Sequence, residues 1–142
     1  MTFIRYAAIA AIALTALTVA AQNRETFKAR LSPVPADART RADLTGSGSA
    51  AATLEGSKLT VTGSFEGLKT AATTANLHSA VAAGVRGPAI ADLTIAKATS
   101  GMISGSADLT PEQLTNLHHG GIYVEIHSEK APDGVIWGWL LK

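Results

Sequence analysis

A chain of 142 residues with no cysteine has no disulfides, no thiol catalysis and no thiolate-held iron–sulfur cluster. Its 12 basic residues against 11 acidic ones leave a formal charge of +1, without the excess of Lys and Arg on which nucleic-acid binding rests. At 46% hydrophobic residues, the length and composition are those of about one globular domain.

The chain opens on a targeting pattern. Arg5 supplies a positive start, residues 6–23 carry no charge, and residues 7–20 are almost wholly Ala, Ile, Leu, Val and Thr. Val19, Ala20 and Ala21 place small residues where a signal peptidase reads, so residues 1–21 are read as a signal peptide cleaved after Ala21. The apolar stretch is shorter than the ~20 residues of a spanning helix and is rich in Ala rather than Leu, which favours cleavage over an anchor. The expectation is an exported protein, periplasmic or secreted, with one domain over 22–142 and no membrane attachment after cleavage. Loss of Arg5 brings its net charge to zero. Arg24, Lys28, Arg30, Arg39 and Arg41 gather near the mature start, and a solvated edge strand and loop accounts for them better than an anion-binding patch.

Period-two alternation follows. Phe27, Ala29 and Leu31 alternate with Lys28 and Arg30; Leu59, Val61, Gly63 and Phe65 with Thr60, Thr62 and Ser64; Ile122, Val124 and Ile126 with Tyr123, Glu125 and His127. Each run is a strand with one buried face. Turn signals at Glu55-Gly56-Ser57-Lys58, Arg86-Gly87-Pro88, Thr99-Ser100-Gly101 and Ala131-Pro132-Asp133-Gly134 recur at the spacing of a sandwich or barrel. Predicted strands are 25–31, 48–54, 58–66, 73–79, 89–95, 101–107, 121–127 and 135–141, with 32–43 a surface loop and Gly46-Ser47-Gly48-Ser49 a turn. Phe65, Val61, Leu59, Leu77, Leu93, Ile122, Val124 and Ile126 should face inward. One short helix interrupts the strands: Thr110 is its N-cap, Pro111 its first residue, and Gln113 stands three after the cap. Leu114 and Leu117 should face the core, and Gly120-Gly121 ends the turn.

The last two strands predict a hairpin with Ile126 opposite Ile136, and Gly138 and Leu140 also inward. The outer face then pairs His127 with Val135, Glu125 with Trp137 and Tyr123 with Trp139, with Pro132-Asp133-Gly134 in the loop. Tyr123, Trp137 and Trp139 are either covered by 32–43 or the first strand, or form an aromatic platform for a partner protein or polysaccharide.

No nucleophile elbow, phosphate loop, dinucleotide fingerprint or zinc-protease helix is present, and no two carboxylates stand as a facing acid and base. The expectation is a non-enzyme. The histidines are the reactive groups that remain. His118-His119 falls at the helix end, where cations complement the dipole. His78 and His127 occupy outward positions on strands, and two such histidines with a carboxylate can bind copper or zinc. Glu125 and Asn76 are the further ligand candidates. The alternative for the same histidines is a set of hydrogen bonds that fix loop ends.

These segments carry a resemblance. Asn76-Leu77-His78 followed by Gly87-Pro88, Leu109-Thr110-Pro111 with Leu114 and Leu117, and the block from Gly121 through His127-Ser128 to Trp137-Gly138-Trp139-Leu140 resemble a CHRD domain. The likeness covers 25–142. It implies an all-β, antiparallel Greek-key-like β-sandwich with one short helix and no established catalytic activity. Against the family pattern, Asn76 stands in place of a histidine, Glu125 in place of an asparagine, and Trp137 and Trp139 in place of polar residues. The reading is an exported, non-catalytic binding or interaction domain; the alternative is a periplasmic copper- or zinc-binding protein.

Overall fold

The computed structural model describes residues 23–142, so the expected cleavage after Ala21 lies outside the described residues. The strands are β1 (Arg24–Pro33), β2 (Ser47–Glu55), β3 (Lys58–Glu66), β4 (Ala72–Ser79), β5 (Ala89–Ile95), β6 (Gly101–Asp108), β7 (Ile122–Ser128) and β8 (Ala131–Trp139). The helix α1 (Pro111–His118) lies between β6 and β7. Alternation locates the strands well because each buries one side: β3 reads exposed, buried, exposed, buried from Lys58 to Val61. Gly46-Ser47-Gly48-Ser49 is corrected from a turn, since β2 already begins at Ser47.

The strands pair antiparallel in the order β1-β2-β3-β6-β5-β4-β7-β8 and close into a barrel. This corrects the expected two-layer sandwich. Strand β1 pairs with β2 along most of its length, but Ser32 and Pro33 pair with Trp137 and Ile136 of β8. Strand β5 pairs with β4, and through Thr94 and Ile95 with β6. These two short seams join the sheets into one. Side chains alternate in and out of a barrel as they do in a sandwich, so periodicity alone does not separate the two.

The interior is filled by large side chains among small ones. Leu59, Val61, Phe65, Leu77, Leu93, Ile122, Val124 and Ile126 are all buried, as expected, with Phe27, Leu31, Ile103, Ile136 and Leu140. Ala29, Ala50, Ala52, Ala72 and Ala75 fill the narrower places. Each of the larger groups stabilises the fold by about 1.5–3 kcal/mol.

Helix α1 forms because its start is chemically complete. The Thr110 hydroxyl accepts from the Gln113 N–H, the Gln113 side chain accepts from the Thr110 N–H, and Pro111 needs no acceptor there. Leu117 is buried and Leu114 packs half-buried against the core. His119 is the C-cap, and its N–H donates to the Thr115 carbonyl at 3.1 Å. His118 reaches Glu25, with Nε2 2.9 Å from Oε2.

Candidate metal centre

Strands β4 and β7 bring the candidate ligands together on the outside of the barrel. Thr74 lies opposite His127, Asn76 opposite Glu125, and His78 opposite Tyr123. His78, Glu125 and His127 thus run diagonally across one face, and one ligand atom from each lies within 4.8 Å of the others. His78 Nε2 is 3.8 Å and His127 Nε2 3.5 Å from the same oxygen, Glu125 Oε1.

The tautomers follow from what holds the other ring nitrogens. His78 Nδ1 lies 2.9 Å from the Gly87 carbonyl and His127 Nδ1 2.8 Å from the Pro132 carbonyl. A carbonyl only accepts, so each Nδ1 carries a proton and each ring turns its Nε2 toward Glu125. Three potential ligand atoms then face one another. The separations are too long for hydrogen bonds. They are close to the roughly 3.3–3.5 Å that separates two ligands each 2.0–2.2 Å from a tetrahedral metal. His78 Nε2 is buried with no hydrogen-bond partner among the described residues.

Distortion of the sheet builds this arrangement. After Ile126 pairs with Ile136, the next pair is Ser128 with Ala131, so four residues of β8 stand opposite His127. Pro132-Asp133-Gly134 is therefore a bulge inside β8 and not the hairpin loop the sequence predicts, and Val135 is buried instead of facing His127. The bulge sets the Pro132 carbonyl against His127 and the Gly134 backbone beside Glu125. A Cβ on Gly134 would lie 3.0 Å from the Glu125 carboxyl carbon. The other register shifts fall at Leu77/His78 and at Ala72/Thr74, beside the same residues. Bulges of this kind re-aim side chains.

The connection after β4 is the cover. Tyr123 accepts from the Gly87 N–H at 3.1 Å and donates to the Gly87 carbonyl at 3.2 Å, which His78 also uses. Arg86 Nη1 donates to Glu125 Oε2 at 3.0 Å, and its guanidinium lies 4.4 Å from the Trp137 ring centroid. Glu125 is only 2% exposed, and Arg86 supplies the charged partner that a buried carboxylate requires. A cleft of about 450 Å³ beside the bulge is lined by Val34, Asp37, Arg86, Pro132 and Gly134 among others.

Asn76 lies opposite Glu125, and its side-chain N–H donates to Asp92 Oδ1 at 2.6 Å across the β4–β5 pair. One expectation is corrected: Tyr123 is fully buried, with its hydroxyl tied to Gly87, so it offers no surface to a partner. The predicted pairs Glu125 with Trp137 and Tyr123 with Trp139 are present. Both tryptophans are half-buried and wall the centre, with Tyr123 stacked on His78 at 4.7 Å and Trp139 4.9 Å from Tyr123. Sequence reasoning missed Arg86, Gly87, Pro132 and Gly134 as site residues. They were visible only as turn residues.

Comparison with known proteins gives one family: the model for the CHRD domain matches residues 27–140. No curated protein and no solved structure matches the chain.

Proposed function

The chain belongs to the CHRD domain family, and on that premise we propose that it is an exported, non-catalytic binding domain whose ligand is a copper or zinc ion held by His78, Glu125 and His127. One observation carries the reading. Two imidazoles, each held by a carbonyl at Nδ1, turn Nε2 on one buried carboxylate oxygen at 3.8 and 3.5 Å. With Nε2 deprotonated, the three atoms are placed to ligate one cation. Imidazole nitrogens with a carboxylate suit zinc and copper. Export is supported by the charged start, apolar run and small residues before Gln22.

No reaction is part of this reading. The group offers ligands and no nucleophile, and Arg86 ties up the second carboxylate oxygen. The test is metal analysis of purified protein, with titration by copper and zinc. One ion per chain is expected, with a rise in thermal midpoint because the ion binds only the folded state. His78→Ala and His127→Ala should each abolish uptake. Protein that remains metal-free and shows no thermal shift with either ion would overturn the proposal.

A further inference from the structure

The charge around the centre discriminates among ions. Glu125 is the one acid in the three-residue cluster, and Arg86 neutralises it through Oε2 at 3.0 Å. The guanidinium is fixed in position by the face of Trp137 at 4.4 Å. Histidines that ligate an ion through Nε2 are neutral, so in the ion-bound state the protein's share of the charge, Glu125 with Arg86, sums to zero. The centre is walled by Tyr123, Trp137 and Trp139, and its carboxylate is 2% exposed. An ion entering there meets the charge of Arg86, whose half-exposed side chain is partly screened by solvent, and the repulsion grows in proportion to the ion's own charge.

We infer that Arg86 is a specificity-determining residue that tunes this centre to a singly charged ion, copper(I), over zinc(II) and copper(II). The inference rests on the metal-binding reading above. Two imidazole nitrogens satisfy copper(I), which accepts two ligands in line, and a neutralised carboxylate leaves the bound state with a single positive charge. A divalent ion leaves the same centre with two positive charges beside Arg86, and the repulsion it meets is correspondingly larger. Trp137 is then a positioning residue: it keeps the guanidinium on Glu125.

Affinities for copper(I), copper(II) and zinc(II), measured by competition with chromogenic chelators, test this in wild-type protein, Arg86→Met and Arg86→Lys. Wild type should bind copper(I) tightest. Arg86→Met should tighten both divalent ions by roughly tenfold and copper(I) by only about threefold, the square root, because the lost repulsion scales with ion charge. Arg86→Lys keeps the cation and should restore wild-type values. Trp137→Leu, which frees the guanidinium, should shift the ions in the same order by smaller factors, and it serves if Arg86→Met does not fold. Equal weakening of all three ions would make Arg86 a structural strut and overturn the inference, as would no change at all. Wild type binding zinc tighter than copper(I) would also overturn it while leaving metal binding intact. Wild type that binds none of the ions would remove both readings.

Discussion

Gly134 occupies the one place in the bulge where no side chain fits. Its φ is +118°, and a Cβ there would press on the Glu125 carboxyl at 3.0 Å. Gly134→Ala should therefore cost ~1–3 kcal/mol in backbone strain and also push Glu125 off its aim, weakening ion uptake. Gly84 is the control. Its φ is +82°, but a Cβ there meets nothing within 4 Å, so Gly84→Ala should lose stability without losing affinity. Denaturant unfolding and ion titration on the two variants separate strain from contact. Equal affinity loss in both would show that Gly134 has no special place in the centre. His78, Glu125 and His127 were legible in the sequence because each is a polar residue at an outward position of an alternating strand. Asn76 has that same signature, but nothing local reveals that Asp92 of β5 lies opposite it and takes its side-chain hydrogen bond. Arg86 was illegible for another reason: a turn has no periodicity from which to infer where its side chain goes.

At the scale of the strand, alternation fixes which residues face inward, and the burial of β7 tests it. Val124 is fully buried between β4 and β8, whereas Thr60 of β3 is exposed. Val124→Ala should destabilise by ~1–3 kcal/mol through lost burial and a cavity, and Thr60→Ala by no more than about 0.5 kcal/mol. Chemical denaturation midpoints decide it; equal losses would mean the inward set is shifted by one residue. Strand β7 also shows what alternation hides. Tyr123 and Glu125 are buried although they belong to the outer face. The connection carrying Arg86-Gly87 lies over them, and its folding back depends on tertiary contacts far apart in sequence, such as Gly87 with Tyr123. The β8 bulge was hidden similarly. Pro132-Asp133-Gly134 has the composition of a loop, and only the pairing of Ser128 with Ala131 places the turn earlier. Helix α1 was legible almost to the residue, because a capping box is purely local chemistry.

Beside the seam between β1 and β8 lies a second, separate cluster. Lys28 and Leu141 exchange both backbone hydrogen bonds, at 2.7 and 2.9 Å, which ties the C-terminus to β1. Around that bridge Glu25 accepts from Lys142 and faces His118 Nε2 at 2.9 Å, so β1, α1 and the last residue meet at one carboxylate. The hydrogen bond from Lys142, and after it the one with His118, holds the Glu25 carboxyl below the usual carboxylate range. A carboxyl whose folded value is depressed stabilises the fold fully above its unfolded value and loses that contribution as pH falls through the folded value. Glu25→Gln should therefore melt below wild type at neutral pH, and the gap should close as pH falls through the lowered folded value, where the wild-type carboxylate becomes protonated as well. Because the cluster lies at the surface, salt should shrink the gap. Thermal midpoints of the two proteins from pH 3 to 7, at low and high salt, provide the comparison. A gap that widened as pH fell would mean Glu25 is worth more protonated than charged, and the cluster would not be the electrostatic latch described. Ion uptake serves as the internal control: the latch sits on β1, α1 and the C-terminus, apart from His78, Glu125 and His127, so Glu25→Gln should leave copper and zinc affinities unchanged.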